Sequence, residues 1–531
     1  MVVFRRRSRP ARSVFAARAI LTLVALAHAT FYIIYQRPDW ATEWTDQNGY
    51  ALLGRVLADT GRFTRYPNLP RFVPEVIRTP GYPLFVAAID RVIGQGHLAV
   101  ATAQALVFAA ICLLVYTLAL RVVNDRIAFA AALFTALYPP LPYFAALTLT
   151  EVFTTFLVTL GVYLWLRSLA ARGETPAAFG GRCIPAPPHG AQSAPWGPRA
   201  DCVAPPLNIP DIRGRRALSS GRLAALGATP DFHHGLLSGG NGWAAGAGAI
   251  LAWAALTRPS FQYLPLALIA AAWLVAPRGT VARRRGIVLL AVFAAALTPC
   301  LLYNVVFLQM LTFTPAGGTG RTLWEGTWQV ALPGRVQATL TSMATTTPDR
   351  AALDEKVRAY AGEVEMDAAP MLRYVHQWQD IRKIWTEPQE PWERARARVA
   401  ADREYGRVAL ENIRRDPVRH AWRRATRGVL LLWVTEIPIR YSDINALSTT
   451  TIRLIWAPQA LLIVAALAGL YVVWRQGARV EAAAFAALIV YVTAVHAVLY
   501  SEARYALPAK PVVVLLATIA VWRFFSRNAS E

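Results

Sequence analysis

Stretches of about 20 apolar residues recur from one end of this chain to the other, and a helix of that length crosses the hydrocarbon of a bilayer. Val14 to Gln36 is one, with Arg18 its single interior charge, and Ile287 to Gln309 is another with none. A chain of this kind reads as an all-α integral membrane protein, a polytopic helical bundle. Any chemistry then falls to the loops outside the cytoplasm.

The charge pattern supports this. Only 16% of the 531 residues are charged, against about 25% in soluble domains. The formal net charge of +23 would suggest nucleic acid on a soluble protein. Here the arginines crowd the short loops between apolar runs, as they do on the cytoplasmic face of membrane proteins. The partners implied are membrane lipids, with no nucleic acid. Arginine outnumbers lysine and alanine and proline are abundant, a composition typical of a high-GC bacterial genome. Cys112 and Cys300 lie in apolar runs, while Cys183 and Cys202 lie in a basic loop. No metal-ligand spacing or disulfide framework results. The basic N-terminus precedes an apolar run too long for a signal peptide and without a cleavage site, so it reads as a retained first span.

Ten spans are predicted, at 14–36, 97–119, 127–147, 150–168, 243–257, 260–276, 287–309, 451–473, 481–499 and 508–523. With ten, five basic groups share one side: Arg5 to Arg12, Arg121 with Arg126, Arg278 to Arg285, Arg475 with Arg479, and Arg523 with Arg527. That side is cytoplasmic, which puts both termini inside a bacterial inner membrane and the long loops in the periplasm. Val429 to Ile439 is apolar but short, with Glu436 and Pro438, and reads as an interfacial helix on the outer surface.

Five regions follow. Residues 1–170 form an N-terminal membrane module with a first periplasmic loop at 37–96. Residues 171–242 form a Pro-, Gly- and Arg-rich cytoplasmic loop without periodicity, read as disordered. Residues 243–309 are a second membrane module. Residues 310–428 form a small α-rich periplasmic cap domain, with helical periodicity at Asp349 to Glu365 and Pro391 to Arg415. Residues 429–531 hold the interfacial helix and the last spans.

The first loop, of about 60 residues, is longer than a connection requires. It concentrates acids, arginines and aromatics: Glu43-Trp44-Thr45-Asp46-Gln47-Asn48-Gly49-Tyr50, a helix from Tyr50 to Asp59, and Glu75 to Pro83. Asp46 has three readings. It can take a proton from an attacking hydroxyl, help hold a divalent cation, or cap the following helix. Glu43 and Glu75 have similar options, with a solvated surface acid the plainer one. Glu151, at the outer start of a span, is either functional or a helix-terminus acid. Arg78, Arg258, Arg321 and Arg504 lie at outer span ends beside Tyr82, Tyr263 and Tyr505. Singly they read as interface anchors; together they suit a lipid phosphate. His28 and His496 read as packed polar residues. HExxH, P-loop and GxSxG motifs are missing, so the energy for any transfer comes from an activated substrate.

The order of these features resembles the GT-C membrane glycosyltransferases of bacteria, related to protein O-mannosyltransferases and the lipid A aminoarabinose transferase. The carrying residues are Asp46 with Tyr50, Arg78-Thr79-Pro80-Gly81-Tyr82-Pro83, Thr150-Glu151, Thr257-Arg258-Pro259, Tyr303-Asn304 with Thr314 to Gly318, and Ser501 to Pro508. The resemblance implies a GT-C-type bundle and an inverting transferase taking a sugar from a polyprenyl-phosphate donor to a hydroxyl on a lipid, polysaccharide or protein. It gives Asp46 the base role, with Glu75 or Glu151 assisting. Arg78, Arg258, Arg504, Tyr82 and Tyr505 would bind the donor phosphate. Relatives carry two adjacent acids where this chain has Asp46-Gln47. Two other classes share such a composition: a lipid or sugar transporter or flippase, which calls for internal repeats and polar groups at midplane, and an O-antigen polymerase or ligase, which places its large loop later.

Overall fold

The computed structural model describes residues 11–40, 45–170, 239–275, 280–313, 318–444 and 447–528. Within these every regular element is helical, as a chain must be where backbone amides have no water to bond. The 171–242 loop lies outside the described residues up to position 238, as do Cys183, Cys202, Glu43 and the Thr314-to-Gly317 segment.

The membrane bundle begins with α1 (Ala11–Gln36). The first loop follows, carrying α2 (Thr45–Thr60) and α3 (Gly81–Val92). Then come α4 (His97–Ala119), α5 (Asp125–Ala136), α6 (Pro140–Ala145) and α7 (Thr150–Ala170). The second module comprises α8 (Gly240–Thr257), α9 (Leu264–Val275) and α10 (Thr280–Leu308). Seven helices among the described residues are long and apolar enough to cross a membrane: 14–36, 97–119, 150–170, 281–308, 449–475, 479–498 and 503–526. The other three predicted spans are shorter helices. The continuous span expected at 127–147 is in fact two helices, α5 and α6. Pro139 and Pro140 supply no amide hydrogens and their rings crowd the preceding turn.

A soluble-like helical domain follows: α11 (Thr319–Gln329), α12 (Gly334–Thr346), α13 (Arg350–Glu363), α14 (Ala368–Thr386) and α15 (Pro391–Arg415). It has its own core, including Trp324, Leu340, Leu353, Met371 and Val375. Asp349 and Asp367 accept backbone amides at the starts of α13 and α14. The segment expected as an interfacial helix ends a longer helical run, α16 (Pro417–Arg423), a π turn and α17 (Val429–Val434). It is docked rather than laid flat: Leu432 and Trp433 are buried, and the Trp433 indole donates to Thr493. The last helices are α18 (Thr449–Arg475), α19 (Arg479–Val498) and α20 (Lys510–Asn528).

The ends of the helices sort into two sets. At one end Arg121 donates to Glu481 and to the Leu166 carbonyl, Arg285 lies against Gly240, and the Arg523 guanidinium lies beside the Gln476 amide. At the other end Trp40 donates to Ala146, Trp253 to Gly81 and Lys510 to the Trp433 carbonyl. The arginines predicted to share one face therefore do share one end, insofar as they are described. The first loop and the α11–α15 domain share the opposite end. Small residues let the helices approach: a Cβ on Gly469 would lie 1.8 Å from the Leu516 carbonyl oxygen, so α18 and α20 touch backbone to backbone. Arg424, 3% exposed, joins domain to bundle by donating to Gln329, Ser501 and the carbonyls of His496, Ala497 and Leu499.

Candidate functional site

Asp46 stands in the first turn of α2, with its side chain 51% exposed. Its carboxylate is turned to Arg78, with Nη2 2.6 Å from Oδ1. The guanidinium of Arg78 lies 4.7 Å over the Tyr50 ring, a favourable stack of cation on π face. Gly49 makes room for it, since a Cβ there would come within 2.6 Å of Arg78. Gln47 faces the other way. It is fully buried and accepts the Thr148 amide at 2.8 Å. Gln47 therefore ties α2 to the start of α7.

The second half of the site comes from three other segments. Glu151, 1% exposed, opens α7. Arg258 Nη2 is 2.6 Å from Glu151 Oε1, and Arg258 Nε donates to Thr150 at 2.8 Å. Arg504 Nη1 reaches the same Oε1 at 3.7 Å, while its Nε is 2.9 Å from Glu502. Both guanidinium groups lie over the Tyr505 ring, at 5.0 and 5.3 Å. Glu151 Oε2 is buried with no hydrogen-bond partner. One buried carboxylate thus holds two arginines side by side.

Gly81 brings the halves together. Its backbone meets the Leu256-Thr257 peptide so closely that a Cβ would lie 2.5 Å from the Leu256 carbonyl carbon. Tyr50 and Tyr82 pack edge to face at 5.1 Å on the first-loop side of this seam. The Tyr82 hydroxyl donates to Gln104 at 3.1 Å, and its fully buried ring backs Tyr50 from behind. Burial raises the Tyr50 hydroxyl above its ordinary range, with Arg78, Asp46, Arg258 and Glu151 all near enough to act on it. Burial, then Glu151, raises Tyr82 as well.

Of the predicted residues, Asp46, Arg78, Tyr82, Glu151, Arg258, Arg504 and Tyr505 surround one region. Glu75 does not join them. It is 4% exposed, pairs with Arg65 and accepts the amides of Ile77 and Arg78 at 2.8 and 3.1 Å. Its contact with the site runs through the backbone of Arg78. The divalent-cation reading finds no ligand set: among the described residues no three His, Cys, Asp or Glu side chains converge, and Asp46, Glu75 and Glu151 each face an arginine. His28 and His496 contact backbone carbonyls, as packed polar residues do.

Sequence reasoning singled out Arg321 but missed several neighbours. Arg321 pairs with Glu325 at 2.8 Å on α11 and lies within electrostatic reach of Asp46. Lys510 is 1% exposed and Glu436 8%. Burial raises the Glu436 carboxyl to about 8, with Glu502 adding to it. Nothing local marks Glu325 or a site role for Glu436, since each faces the site only through tertiary packing. The unusual lysine after Pro508 was the one available signal.

No family model matches the chain, and neither does any curated protein. Solved structures similar to it include the archaeal oligosaccharyltransferase AglB from Archaeoglobus fulgidus in complex with an inhibitory peptide and a dolichol-phosphate. The identity there is 12% and the TM-score 0.48, over 96% of this chain and 50% of that one. ArnT from Cupriavidus metallidurans bound to undecaprenyl phosphate is similar at 13% identity and a TM-score of 0.36, over 97% of this chain and 79% of that one. The chain spans about half the length of the oligosaccharyltransferase chains it resembles.

Proposed function

We propose that this protein is an integral membrane glycosyltransferase of the GT-C type, which moves a sugar from a polyprenyl-phosphate donor to an acceptor hydroxyl at the periplasmic face. The observation that carries the proposal is the pairing of a half-exposed acid with three arginines on aromatic rings: Asp46 with Arg78, and Arg258 with Arg504 around Glu151. All of them sit at the end of the bundle opposite its arginine-rich loops.

In the proposed step the acceptor oxygen attacks the anomeric carbon from the face opposite the phosphate. The carbon–oxygen bond to the phosphate breaks, and the hydroxyl proton passes to Asp46. The product is an inverted glycoside and a polyprenyl phosphate carrying one more negative charge. Arg78, Arg258 and Arg504 are placed to meet that charge as it develops, which is where fixed cations accelerate most. Glu151 is a positioning residue, because its carboxylate is buried beneath the two guanidinium groups. Gln47 leaves Asp46 without an adjacent acid, and Arg78 takes the place of a cation beside it.

The test is reconstitution in proteoliposomes with a polyprenyl-phosphate sugar labelled in the sugar and an extract of bacterial envelope acceptors. The expected result is labelled acceptor of opposite anomeric configuration, formed in step with free polyprenyl phosphate. Donor that crosses the bilayer intact, with no glycoside formed, would overturn the proposal in favour of a flippase.

A further inference from the structure

A cavity of about 370 Å³ opens between the α11–α15 domain and the first loop, within the usual size of small-ligand pockets. Its walls carry Arg321, Trp378, Arg382, Trp385, Arg398 and Tyr405, with Ile77 on the rim. The guanidinium groups of Arg382 and Arg398 lie 4.6 and 4.4 Å over Trp378 and Trp385. The one acid in the wall, Asp402, is occupied by the Gly320 and Arg321 amides. Arg321 has Glu325. Arg382 donates to the Thr345 hydroxyl, and neither it nor Arg398 has a carboxylate within ion-pair distance among the described residues. Burial, then the charge of Arg65, works against the Arg398 cation.

We infer that this groove binds an anionic saccharide. Flat indole faces bury the apolar faces of sugar rings, while planar guanidinium forks match a carboxylate or phosphate. Two cations without acid partners are relieved by an anion. The groove also leads toward the reaction site, for Ile77 adjoins Arg78 and Arg321 lies within electrostatic reach of Asp46. Resting on the transferase reading, the inference makes the acceptor an acidic glycan or a phosphorylated glycolipid headgroup, held here with its hydroxyl toward Asp46.

Binding to the purified full-length protein is measured by isothermal titration calorimetry. Tetragalacturonate is compared with neutral maltotetraose, trehalose 6-phosphate with trehalose, and tetraglutamate serves as the peptide arm. The expected result is at least ten-fold tighter binding of an acidic sugar than of its neutral partner, weakening with salt. Which acidic sugar wins tells carboxylate from phosphate. Arg382→Gln with Arg398→Gln should remove at least ten-fold of that affinity, and Trp385→Phe less. Equal binding of acidic and neutral sugars, preference for tetraglutamate, or unchanged affinity in the double arginine variant would overturn the inference. Saccharide binding without any transfer would overturn only the transferase reading, and transfer without saccharide binding only this one.

Discussion

Gly81→Ala is the sharpest test of how the site is assembled. The added Cβ would meet the backbone of Leu256 and Thr257 at 2.5 to 2.7 Å, where ordinary contact begins at 3.4 Å. The two loops must therefore part by about 0.9 Å (3.4 against 2.5). Overpacking of this kind costs about 1–3 kcal/mol, partly offset by the roughly 0.5–1 kcal/mol that alanine gains over glycine in a helix. Folding should survive. Rate should not, because the parting moves Arg78 away from Arg258 and Glu151, and a misplacement near 1 Å can cost about 100-fold. The assay pairs thermal unfolding in detergent with initial rates of sugar transfer. Gly362→Ala is the control, since nothing lies within 4 Å of its Cβ position. An apparent melting temperature near wild type with a roughly 100-fold slower rate fits the argument. Wild-type rate in Gly81→Ala would refute it.

Three further outcomes follow from the same geometry. Glu151→Gln leaves two guanidinium groups without their shared carboxylate, and loss of one partner of a buried pair costs about 3–5 kcal/mol; a lower melting temperature and a raised donor KM should appear together. Glu75→Gln keeps an oxygen for the Ile77 and Arg78 amides, so transfer should stay within about ten-fold of wild type, since Glu75 acts through Arg78 alone; abolished transfer in a folded variant would return Glu75 to the reacting groups. Glu436 is held protonated by burial up to about 8, whereas its unfolded form ionises near 4.5. Unfolding thus releases a proton between these values, so stability should fall as pH rises through that window. Glu436→Gln should flatten thermal stability between pH 5 and 8, and an unchanged pH profile would contradict the assignment.

Much of the bundle was legible because hydrocarbon imposes long apolar runs and arginine marks one set of ends. The break at Pro139-Pro140 was written in the sequence too, but apolar residues on both sides masked it as one span. The order of residues along the chain pointed to Asp46 and Arg78 in the first loop and to Arg258 after α8, and the close packing at Gly81 is what makes those separate segments one site. Glu75 and Gln47 could not be sorted the same way. An acid or amide in a loop reads alike whether it faces solvent or a backbone amide, and only tertiary packing shows that these two turn inward. The periodicity of α13 and α15 was visible. The groove was not, since Trp378, Trp385 and Arg398 meet only once α14 and α15 pack.

The most direct measurement is the initial rate of transfer from a purified polyprenyl-phosphate sugar by wild type and Asp46→Asn, each in proteoliposomes and matched for folded protein. Asn keeps the shape and can still contact Arg78, but it cannot accept the acceptor's proton. A general base contributes about 10²- to 10⁴-fold, so the account predicts a rate lower by at least 100-fold with donor binding retained. A rate within a few-fold of wild type would contradict it.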